Sequence, residues 1–166
     1  MSFGLAILTF VHVVLSLGGI GSGLVVVYEF LAAKRRDIWT ALFLATTVLT
    51  SVTGFFFPAE HFMPCHALGI VSLLVLAVAI LARYTFHLSG AWRSAYVISS
   101  VIALYLNVLV LVVQLFQKVP ALHALAPTQS EPLFLVTQIT VLALFVAIAI
   151  SAAIRFRRAS IYPDAG

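Results

Sequence analysis

Long apolar runs separated by short polar breaks dominate the chain. They cover residues 3–31, 39–57, 64–82, 94–116 and 133–154. A helix needs about 20 apolar residues to cross the hydrocarbon core of a bilayer, and each run is close to that length or longer. The pattern predicts an all-α membrane protein, a bundle of about five transmembrane helices. These form one domain over 1–158, followed by a short tail over 159–166. Pro58 ends the second run and Pro64 opens the third, as befits a residue that cannot continue a helix but can begin one.

The basic residues give this pattern a direction. Short loops rich in Lys and Arg stay on the cytoplasmic side. Five spans put Lys34, Arg35, Arg36, Arg83, Arg93, Arg155, Arg157 and Arg158 on one side and leave only Lys118 on the other. The expected topology therefore has the N-terminus outside and the C-terminus and its tail in the cytoplasm. Trp39, Tyr84, Trp92 and Tyr96 fall near the expected inner interface, where amphipathic rings are favoured.

Composition agrees and removes whole classes of function. Of 166 residues, 63% are hydrophobic and 8% charged, with mean hydropathy +1.18. A soluble domain carries roughly 25% charged residues, so most of this surface must face lipid. The net charge of +4 does not indicate a nucleic-acid partner, because the basic residues cluster at span ends. With Cys65 as the single cysteine, no disulfide can form within one chain. The first run lacks a positive leader segment and is long enough to span, so it reads as a helix and not as a cleaved signal.

Several spans carry polar or small stripes. His12, Ser16, Gly19 and Gly23 share one face of the first, and Gly19 and Gly23 would admit a close neighbouring backbone. Ser100, Asn107 and Gln114 share a face of the fourth, with Gln117 close by, while Phe43, Thr47, Thr50 and Gly54 share one on the second. Counted from the outer span ends at 1.5 Å per residue, His12, Thr50, Ser72 and Asn107 lie roughly 12–17 Å down, with Gln114 and Gln138 above them. The expected site is thus an outer-half polar pocket of His12, Thr50, Ser72, Asn107 and Gln114, which would take a hydrophobic cofactor, a quinone or a partner helix. The plain alternative is a hydrogen-bonded network that only fixes helix register.

Other constellations point to chemistry less directly. His61, Met63, Cys65 and His66 form a loop whose ligand types suit a soft metal such as Cu(I), though their spacing matches no metal motif. Haem b needs axial histidines on facing helices at one depth. His12 is the one histidine deep in a span, so it would need a different axial partner, or would serve a quinone as hydrogen-bond donor. Glu29 is the one carboxylate within a span. It reads as an interfacial partner of Lys34, Arg83 or Arg93, or as an inner proton relay with His87. No nucleophile elbow, phosphate loop or zinc-protease helix occurs, so nothing in the motifs argues for an enzyme.

The stretches Leu106-Asn107-Val108, Gln114-Leu115-Phe116-Gln117-Lys118-Val119-Pro120, 125–132 and 43–54 resemble a group of small polytopic proteobacterial inner-membrane proteins. The resemblance implies a multi-pass protein of the bacterial inner membrane and adds no catalytic residue. Together these readings lead to the expectation of an accessory or redox-associated subunit, in contact with the lipid bilayer and with other membrane subunits or copies of itself. A small transporter or channel, with Glu29 and His87 at its inner mouth, and a purely structural subunit are the alternatives.

Overall fold

The computed structural model describes residues 3–32, 34, 36–58 and 64–158, without the side chains of Pro64, Cys65 and Arg158. Among them are six α-helices and no strand: α1 (Phe3–Leu31), α2 (Asp37–Gly54), α3 (Pro64–Ile80), α4 (Trp92–Lys118), α5 (Pro120–Leu125) and α6 (Pro132–Arg158). Five helical stretches are long and apolar enough to cross a membrane: α1, α2, His66–Thr85, α4 and Pro132–Arg157. This is the expected all-α bundle of five spans. The short α5 falls in the loop between the fourth and fifth spans.

α4 is the axis of the bundle, packing against α1, α2, α3, α5 and α6. That explains its composition. Residues enclosed by protein can be polar where lipid-facing ones cannot, and α4 buries Ser99, Ser100 and Asn107 beside Val97, Val101 and Leu104. α1 and α6 lie at the periphery, and most of their exposed side chains are apolar, among them Phe10, Leu17 and Leu24 on α1 and Val136, Ile139 and Ile150 on α6. Such outward faces suit lipid contact.

The Gly19–Gly23 stripe is used inside the chain. A Cβ at Gly23 would come within 2.7 Å of Leu104 Cδ1 and 2.9 Å of the Phe43 ring. One at Gly19 would lie 3.1 Å from Thr47 Oγ1 and 3.3 Å from Asn107 Nδ2. The glycines therefore let α1 approach α2 and α4 closely.

Two boundaries depart from the expected ones. α2 stops at Gly54, before the expected 57, because the chain tightens there: Phe55 N–H donates to Val52 O and Phe56 N–H to Thr53 O. A helix that tightens in its last turn satisfies its orphan carbonyls early. The third span does not end at 82. It passes from α3 into a π-helical turn over Leu81–Thr85, where Phe86 N–H reaches Leu81 O. His87 and Leu88 then adopt left-handed conformations (φ 49° and 57°). Leu88 is held there by burial and by its N–H bond to Ala82 O at 2.9 Å.

The basic residues gather at one end. Arg83 of the π turn pairs with Asp37 at the start of α2. Arg93 lies over the Phe156 ring at 5.4 Å, and Arg155 donates to Leu31 O. Lys118 stands at the end of α4 that leads into α5. We call the two ends the basic end and the far end.

Candidate functional site

Most hydroxyls in the spans are satisfied within their own helix, donating to the carbonyl four residues back, as Thr46, Thr50 and Thr53 do. Among the described residues, three side-chain pairs between helices involve the polar stripes. His12 Nδ1 lies 2.9 Å from Thr53 Oγ1. Asn107 Nδ2 donates to Thr47 Oγ1 over a long 3.5 Å. Ser51 donates to Ser72 Oγ at 3.0 Å.

The expected residues are therefore only partly brought together. Asn107 and Ser72 are buried and paired, but with Thr47 and Ser51, not with each other. Thr50 is buried, and its hydroxyl donates to Thr46 O. Gln114 is half-buried on α4. Gln138 donates to Leu109 O, and its Oε1 is buried without a hydrogen-bond partner among the described residues, as is Ser100 Oγ. The partner of His12 is Thr53, one turn beyond Thr50, the α2 residue expected at its depth. Counting inward from Pro58 missed this because α2 ends at Gly54.

That boundary also moves the site. α1 has 29 residues and α2 has 18, about 43 and 27 Å at 1.5 Å per residue. His12 meets the last turn of α2, so it lies level with the point where α2 gives way to the 55–58 turn. Its ring makes an edge contact with Phe57, centroids 5.2 Å apart, and lies against Gly54. His12 is half-buried.

The Thr53 hydroxyl bears on the tautomer of this histidine. Two backbone carbonyls lie within reach of its hydrogen, Leu49 O at 2.8 Å and Thr50 O at 3.1 Å. A hydroxyl has one hydrogen, and with it on either carbonyl the oxygen offers His12 a lone pair, which matches a ring protonated at Nδ1; with it on His12, Nε2 carries the proton. In the first arrangement Nε2 of the neutral ring is a bare acceptor. Among the described residues His12 has no other hydrogen bond.

The other candidates are dispersed. His61 and Met63 and the side chain of Cys65 lie outside the described residues; His66 stacks on Phe55, centroids 5.9 Å apart. Among the described residues no group of three or more His, Cys, Asp or Glu could hold a metal. Glu29 is 4% exposed at the basic end. Its Oε2 accepts the Arg36 backbone N–H at 3.3 Å, and Oε1 is buried without a hydrogen-bond partner among the described residues. Arg83, one of its expected partners, is paired with Asp37 instead. His87 is exposed, with Nδ1 against Thr85 O, and no hydrogen bond joins it to Glu29.

One network at the basic end was not expected. Tyr96, placed by its sequence position at the interface, is 1% exposed. Its hydroxyl lies 3.2 Å from Thr40 Oγ1 and accepts from Arg83 at 3.3 Å. A buried tyrosine hydroxyl needs such partners, and the pairing ties α2, the π turn and α4 together. Compared with protein families, curated proteins and solved structures, the chain finds no match.

Proposed function

We propose that this chain is a small accessory subunit of a redox assembly in a bacterial inner membrane, and that it binds a quinol at the α1–α2 seam through His12. In this reading the basic end faces the cytoplasm and the His12 seam lies in the outer half of the membrane. The excess of Lys and Arg at one end supports that orientation.

The observation that carries the reading is the contact of His12 Nδ1 with Thr53 Oγ1 at 2.9 Å, beside the bonds of that hydroxyl to Leu49 O and Thr50 O, which we read as fixing the His12 tautomer. With Nδ1–H committed to Thr53, the half-buried ring offers Nε2 as an acceptor. Among membrane-soluble ring cofactors a quinol donates O–H, whereas the oxidised quinone only accepts. The site should hold the reduced form in preference. Its level, beside the 55–58 turn and the Phe57 ring, suits a ring head group whose tail runs into lipid. The transport reading has less support, since Asn107–Thr47 and Ser51–Ser72 close on each other.

The test is extraction of the full chain in mild detergent, followed by measurement of bound quinol and quinone. Wild-type protein retains quinol. His12→Ala lowers retention about tenfold, the loss expected for roughly one good hydrogen bond. Thr53→Val, which keeps His12 and removes the lock, lowers it several-fold. Equal retention in wild type and His12→Ala, or no quinol in the wild-type extract, contradicts the reading.

A further inference from the structure

Among the described residues, Glu29 is the one buried charged side chain, 4% exposed. It stands in the last turn of α1, and no basic side chain shares that turn. The negative end of a helix is an unfavourable place for a carboxylate. Across the α1–α2 connection its Oε2 accepts the Arg36 backbone N–H at 3.3 Å, so the positive end of α2 offsets this in part. Neither helix end supplies a full counter-charge.

The ionisable side chains at this end have other contacts. Asp37 of α2 pairs with Arg83 of the π turn. Tyr96 of α4 meets Thr40 and Arg83. Arg93 of α4 lies over the Phe156 ring, and Arg155 of α6 donates to Leu31 O. Among the described residues no ion pair joins Glu29 to any of these, nor to Lys34, Arg36 or Arg157. Its Oε1 is buried and has no hydrogen-bond partner there. An ionised carboxylate is costly to bury without a counter-charge. A glutamine would accept the Arg36 N–H without that cost, so capping α2 does not account for a carboxylate at this position.

We infer that Glu29 binds a small cation at Oε1, just beneath the surface of the basic end. A proton and a sodium ion share this chemistry, since either neutralises the carboxylate and occupies the open oxygen. Lys34 and Arg36, both exposed, mark how near that surface lies. The inference does not rest on the quinol reading, which concerns the far end.

The experiment uses the full chain in lipid nanodiscs and reads the carboxyl from the infrared difference between wild type and Glu29→Gln, whose amide keeps the Arg36 bond. The probes are protons and sodium ions, supplied at neutral pH in choline and sodium media of equal ionic strength. A bound proton gives a carboxylic-acid band that is lost in Glu29→Gln. A bound sodium ion gives a carboxylate band that shifts between choline and sodium and is likewise lost in the variant. Either result sustains the inference and assigns the cation. A carboxylate band that stays unmoved between the two media overturns it and leaves Glu29 as an ionised cap of α2. Should Glu29→Gln fail to fold, isotope-labelled glutamate in a Glu60→Gln/Glu131→Gln background leaves Glu29 as the one labelled carboxyl, and its band reads the same outcomes.

Discussion

At the scale of single residues the bundle is decided by a few atoms. Gly23 sits where a Cβ would collide with Phe43 and Leu104, both buried, whereas a Cβ at Gly21 would meet nothing within 4 Å. Gly23→Ala should therefore destabilise by about 1–3 kcal/mol through overpacking, and Gly21→Ala should stabilise by about 0.5–1 kcal/mol through helix propensity. Denaturant unfolding in micelles measures both, and opposite signs are expected. Sequence spacing made the Gly19–Gly23 stripe visible, because a repeat of four falls on one helix face. It could not give the tautomer of His12. That depends on where the hydroxyl hydrogen of Thr53 points, which is a matter of geometry between two helices.

At the scale of elements, the link between α2, the π turn and α4 rests on Tyr96 more than on the visible ion pair. The Arg83 side chain is 10% exposed and that of Asp37 is 90% exposed, so the pair is largely screened by solvent. Asp37→Asn should cost less than about 1 kcal/mol. Tyr96→Phe removes the partner of both Thr40 and Arg83 and should cost about 1–2 kcal/mol. Equal losses would show that the ion pair carries the link. The far end has its own clasp before α6. Desolvation pushes the Glu131 carboxyl up, but hydrogen bonds from the Thr128 N–H and hydroxyl outweigh it and hold the group below its ordinary value. A lowered carboxyl contributes its stabilisation above the ordinary pKa and loses it as pH falls through the lowered one. Protection of the Thr128 amide, its exchange taken relative to the intrinsic rate at each pH, should therefore hold at neutral pH and fall only in acid below the ordinary carboxylate range, with this loss absent in Glu131→Gln.

At the scale of the whole molecule, the span count was legible because lipid demands long apolar segments, and the two helix ends that were misplaced are local. α2 stops short and the third span runs on as a π turn because backbone hydrogen bonds close early or late there, which a hydrophobic run does not record. The polar layer was legible as a set of depths, but not as partners, since which side chains meet depends on how the helices are rotated against one another. The proposed orientation has a direct check: in a Cys65→Ser background, cysteine at 118 should react with an impermeant reagent in intact cells, and cysteine at 157 only after lysis. The reverse pattern would invert the topology. The central claim is the acceptor nitrogen of His12. Its most direct test is the ¹⁵N spectrum of histidine-labelled protein in lipid, with and without added quinol. The expected result is a His12 ring protonated at Nδ1, whose Nε2 resonance shifts on adding quinol and not on adding the quinol dimethyl ether. A ring protonated at Nε2, or an Nε2 resonance indifferent to quinol, would contradict it.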